Sequence, residues 1–99
     1  MDTLPIELVR ERALQIGRSQ LGEKRVERVD VEDEIDASDQ HSLSITFVLK
    51  PSKKLNLSGE KLGRINLEIL DLLAASGDIR FPYTHYVTTD ELKQLSAAE

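Results

Sequence analysis

RFPYTHYV, residues 80–87, holds three of the four aromatic residues of this 99-residue chain and one of its two histidines. Its side chains fall into two sets by the period-two alternation of a strand. Ile79, Phe81, Tyr83, His85 and Val87 share one side, and Arg80, Pro82, Thr84, Tyr86 and Thr88 the other. The odd set, including Phe81, is expected to close a core while Tyr86 faces outward. Pro82 cannot donate a ladder hydrogen bond, so the strand is expected at a sheet edge or with a bulge.

Upstream, Leu62, Ile65, Ile69, Leu72 and Leu73 recur at helical spacing, with Leu67 and Leu70 widening the stripe. Ser58 is placed to cap this helix, and Gly77 to end it in a left-handed conformation. Before it lie two alternating runs: Val29, Val31 and Ile35 interleaved with acids, then Leu43, Ile45, Phe47 and Leu49. ASDQH, residues 37–41, reads as the turn between them. A hairpin keeps both apolar sets on one face. Opposing Ile35 to Leu43, Val31 to Phe47 and Val29 to Leu49 does this, and it sets Asp33 opposite Ile45 on the apolar face.

At the N-terminal side, Ile6, Val9, Ala13 and Ile16 predict a first helix, with Thr3 as a cap, Pro5 in the first turn and Gly22 as the stop. At the other end, Thr88 and Glu91 form a capping-box signature for a short last helix through Leu92 and Leu95. The whole chain, 1–99, reads as a single α+β domain, element order α-β-β-α-β-α. It is expected to be a two-layer sandwich, a small antiparallel sheet with helices packed on one face. The expected core gathers Val31, Ile45, Phe47, Leu62, Ile65, Ile69, Leu73 and Phe81.

The composition is that of a globular domain, 39% hydrophobic and 31% charged, and there is no cysteine for disulfides or thiolate ligands. MDTLPIELVRERALQI, residues 1–16, is broken by charges and predicts neither a signal-peptide core nor a membrane span. Cytoplasmic location is the resulting expectation. The net charge of −5 hides two opposite segments. Residues 27–39 carry seven acids against Arg28, and residues 50–64 carry Lys50, Lys53, Lys54, Lys61 and Arg64 against Glu60.

Four functional readings follow. Asp33 and His85, both placed on the apolar face, are the weak candidates for an acid-base pair, because a carboxylate that orients an imidazole is the core of such chemistry. No nucleophile motif accompanies them, so an enzyme is not the favoured reading. The acidic run has no glycine turn to converge oxygen ligands, so no metal and no cofactor is expected. Lys50, Lys53, Lys54, Lys61 and Arg64, beside a helix N-terminus, offer a nucleic-acid alternative. Gly59 and Gly63, in GEKLG, are one residue too far apart for a KH-type GxxG loop and lie inside the predicted helix. Thr46, Val48, Thr84 and Tyr86, on the expected open sheet face beside the acids, form the preferred site, a surface for a protein partner or for a second copy in a homodimer. The reading is a small partner-binding or regulatory domain that self-associates.

Overall fold

A computed structural model describes residues 3–52 and 57–97, with side chains described as far as Gln94. The elements follow the expected order: α1 (Ile6–Leu21), β1 (Val26–Ile35), β2 (His41–Leu49), α2 (Gly59–Ala75), β3 (Phe81–Thr88) and α3 (Thr89–Ala97). The sheet order is β1-β2-β3, so β3 is an edge strand. The hairpin β1–β2 is antiparallel, but β3 runs parallel to β2, which makes the sheet mixed. The reason is the connection. Neighbouring strands can run parallel only when a long crossover carries the chain back to the starting end, and α2 supplies one.

Within the hairpin, Ile35 pairs with His41, Val31 with Ile45 and Val29 with Phe47. This register differs from the expected one by two residues and so keeps the apolar sets on one face; Asp33 meets Leu43 instead of Ile45. The turn sets the tighter pairing. Asp36 O accepts from Asp39 N at 3.0 Å, Asp39 takes φ 64°, and Asp36 N donates to Gln40 O at 2.9 Å. That is a three-residue hairpin loop with its last residue left-handed, a position aspartate tolerates. The Asp36 carboxylate fastens it by accepting from Ser38 N and Gln40 N.

The helix ends are set largely by the expected residues. Ser58 Oγ accepts from Lys61 N at 3.2 Å, and Gly77 takes φ 74° after α2. Gly22, φ 111°, ends α1 by donating its N–H to Arg18 O. Thr3 does not cap α1: Pro5 occupies the capping position and no side chain bonds there. Thr88 and Glu91 close the expected box, with Glu91 N donating to Thr88 Oγ1 and Thr88 N donating to Glu91 Oε1.

The core lies between one sheet face and the helices α1 and α2. Val9, Ala13, Gly17 and Leu21 of α1 and Ile65, Ile69 and Leu73 of α2 are buried, as are Val29, Val31, Leu43, Ile45, Phe47 and Leu49. Leu62 packs against this cluster from its margin. Phe81 does not belong to it, being 48% exposed. Its place is taken by Tyr86, whose ring stacks on Phe47 with centroids 5.1 Å apart and planes 12° apart. The phase of β3 is therefore the reverse of the expected one.

Candidate functional site

The inverted phase of β3 originates at its start. Asp78 and Arg80 are two residues apart, so an extended backbone points both side chains the same way. Both are buried, at 5% and 5% exposure. Arg80 Nε and Nη2 donate to the Asp78 carboxylate, the latter at 2.7 Å, and Nη2 also donates to Leu4 O. Leu4 N donates to Asp78 Oδ2 at 2.9 Å. The pair thus fixes the segment before α1 through both backbone groups of one residue. Burial pushes the Asp78 carboxyl up, but the Arg80 guanidinium and the Leu4 and Arg80 amides outweigh it and hold it at about 2. Its hydrogen bond to Asp78 raises the pKa of Arg80 further.

Arg80 Nη1 reaches on to Asp33 Oδ2 at 3.4 Å, and both residues line a cavity of about 130 Å³ with Thr3, His41 and Ile79. Two carboxylates flank the one guanidinium, so no net positive charge remains there for an anion. The arrangement is a clamp between the N-terminal segment, β1 and β3. Nothing in the sequence pattern alone signalled it except the spacing Asp78-Ile79-Arg80.

Asp33 and His85 are not brought together. Asp33 shares a row with Leu43 and Pro82 on the helix side, whereas His85 shares one with Thr46 on the opposite side. The histidine that lines a cavity with Asp33 is His41. The acid-base pair expected from alternation therefore has no geometric basis.

Of the four residues expected on the open face, two lie on the other side. Tyr86 and Thr84 share rows with Phe47 and Ile45 and face the helices. The Tyr86 hydroxyl is enclosed and has no hydrogen-bond partner among the described residues. Burial raises its pKa, and the nearby Thr84 side chain opposes that shift without reaching hydrogen-bond geometry. Val48 does lie on the open side, in a row with Arg28 and Val87, but is fully buried. Thr89, Leu92 and Lys93 of α3 line a groove with Glu27 and Arg28 at that end of the sheet. Thr46 stays on the open face and is partly exposed.

The open face has a different cast from the expected one. Its rows read Asp30–Thr46–His85, Glu32–Ser44–Tyr83 and Glu34–Ser42–Phe81. Small hydroxyl side chains form the middle strand, with carboxylates on one flank and rings on the other. Adjacent strands lie roughly 4.8 Å apart, so the flanking rows are separated by about 10 Å. The result is a shallow trough. Phe81 and Tyr83 are 48% and 42% exposed, with ring centroids 4.9 Å apart and planes tilted by 58°. Tyr83 Oη donates to Asp36 Oδ2 at 3.1 Å, which carries its ring past β2 to the hairpin turn. Ser42, on that path, is 1% exposed. The bond to Asp36 raises the pKa of Tyr83, while the Gln40 amide, more than burial opposes it, and the Ser38 amide and Tyr83 hydroxyl lower that of Asp36.

The basic segment is dispersed where it is described. Lys50 Nζ lies 3.8 Å from Glu27, Arg64 pairs with Glu60 at 2.8 Å, and Lys61 is partly buried beside the Ser58 cap. Lys53 and Lys54 lie outside the described residues. Among the described residues no group of three or more histidines, aspartates or glutamates is placed to hold a metal ion, and no helix is long and apolar enough to cross a membrane.

Compared with family models, with curated proteins and with solved structures, the chain matches none.

Proposed function

We propose that the chain is a cytoplasmic partner-binding domain that docks its partner on the open face of the sheet, over Phe81 and Tyr83. One observation carries this reading: two adjacent aromatic rings stand about half exposed on a sheet face while α1 and α2 cover the other face. Rings at such a position supply contact area at low entropic cost and have a hydroxyl to orient it. A chain without cysteine is at home in a reducing compartment. Catalysis is the weaker reading, since the acid and the imidazole proposed for it lie on opposite faces.

The test is a selection of peptide binders from an unbiased display library, followed by affinity measurements on two variants. Phe81→Ser combined with Tyr83→Ser alters the proposed face, and Leu67→Ser alters an exposed position on α2. The reading expects binders to lose affinity for the first variant and keep it for the second. Binders indifferent to the first variant and sensitive to the second would reject it.

Self-association is a second reading, favoured by the strand order. β3 is an edge of neutral residues, whereas the other edge, β1, carries Asp30, Glu32 and Glu34 and would meet its copy with like charges opposed. Light scattering decides it. A molar mass that doubles with concentration supports pairing through β3, and a monomer at every concentration removes it.

A further inference from the structure

We infer that the trough on the open face takes an extended, positively charged segment of another protein, seating arginine or lysine side chains between the β1 acids and the β3 rings. This rests on the docking reading above and names the chemistry of its occupant.

The charges of the face are one-sided. Arg28 is spent on Asp30, at 3.2 Å, and among the described residues no ion pair reaches Glu32 or Glu34. Asp36 remains anionic at the hairpin end, its pKa lowered first by the Gln40 amide. Glu32 and Glu34 thus stand along one wall without an ion-pair partner, with Asp36 beyond them already bonded to Tyr83, in a chain of net charge −5. Phe81 stands on the β3 side and Tyr83 closes the trough at the hairpin end, and the exposed faces of both rings attract a cation through the ring quadrupole. A floor of Ser44 and Thr46 leaves room above it and supplies hydroxyls for backbone or guanidinium hydrogen bonds.

The geometry also sets the shape of the occupant. A separation of about 10 Å between the flanking rows suits one extended chain lying along β2, or a single long side chain crossing it. Guanidinium fits better than ammonium, because its plane stacks on a ring while its edge bonds a carboxylate. A second copy of the chain is a poorer occupant, since each copy carries a net charge of −5 and the two would repel.

The test is a titration of the isotopically labelled chain, followed by amide resonances, with the capped peptide Gly-Arg-Gly-Arg-Gly-Arg and with the same peptide carrying citrulline in place of arginine. Expected are saturable shifts at Ser44, Thr46, Tyr83 and His85 with the arginine peptide only. Glu32→Gln with Glu34→Gln should weaken binding about fivefold, as expected for the loss of exposed charge pairs. Glu68→Gln with Asp71→Asn removes the same charge from the exposed side of α2 and should leave affinity within about twofold. Equal weakening by both variants, or shifts lying elsewhere, would overturn the inference. If the citrulline peptide occupies the same residues as tightly, the docking face stands and its preference for cations does not. If neither peptide shifts those residues while library-selected binders do, the basic segment is likewise rejected and the docking face retained.

Discussion

The Phe47 ring is held between Gly17 and Tyr86: it stacks on the tyrosine at 5.1 Å, and a methyl group added at Gly17 would stand 2.8 Å from its Cε2. The glycine therefore marks a close approach of α1 to the sheet. It is not merely a weak point in a helix.

Two glycine substitutions in helices should consequently have opposite signs. Gly17→Ala meets a fully buried ring, and overpacking of that kind costs roughly 1–3 kcal/mol, against the roughly 1 kcal/mol that alanine gains over glycine in a helix. Gly63→Ala meets nothing within 4 Å and should stabilise by about 0.5–1 kcal/mol. Urea midpoints at constant slope measure both.

Tyr86 and Phe81 lie on opposite faces of β3. Tyr86→Phe removes an enclosed hydroxyl that has no partner among the described residues, so stability should stay level or rise by up to about 1 kcal/mol. Phe81→Ala, at a half-exposed position, should cost less than about 1 kcal/mol, whereas Phe47→Ala in the core should cost roughly 3–5 kcal/mol. Thermal unfolding of the three variants ranks them, and a Phe81→Ala loss equal to that of Phe47→Ala would place Phe81 inside.

Asp78 gives the fold a defined acid limit. Its carboxyl is held at about 2 in the folded chain against 3.8 for the free group, so the folded state binds the proton less readily than the unfolded one. Stability from the ionised pair is complete above pH 3.8 and is lost as pH falls through about 2. Asp78→Asn should destabilise by about 3 kcal/mol at neutral pH, because it leaves the buried Arg80 only the longer contact to Asp33 for its charge, and should flatten the stability curve in that window. Unfolding free energy measured across that window for both chains checks the slope.

Thr88 is both the last residue of β3 and the cap of α3. Thr88→Ala removes the acceptor of the Glu91 amide and should cost α3 about 1 kcal/mol. Amide exchange should quicken in residues 89–94 while the slowest core amides are slowed or hastened only by a comparable factor.

The helix stops, the Ser58 and Thr88 caps and the hairpin face were legible because each depends on neighbours within a few residues. Gly77, Gly22 and the alternation of Val29, Val31, Ile45 and Phe47 carried that information locally. The phase of β3 was not legible, because both its sets contain large apolar side chains and the choice between them lies in a buried ion pair with the distant Leu4. Arg80 reads as an outward residue until its partner is known. That single inversion moved Tyr86 into the core and brought Phe81 and Tyr83 to the surface. It also separated His85 from Asp33. The parallel direction of β3 was readable in principle from the helical crossover, though its side-chain alternation carries no sign of direction.

The most direct measurement uses the fact that the chain has only two tyrosines. Labelled with 3-fluorotyrosine, it should give two fluorine resonances. A soluble paramagnetic agent should broaden the Tyr83 line strongly and the Tyr86 line weakly. On addition of a library-selected binder the Tyr83 line should shift and become protected, with the Tyr86 line unmoved. Equal broadening of both lines in the free chain, or a binder that leaves Tyr83 as exposed as before, would contradict the open face as the docking surface.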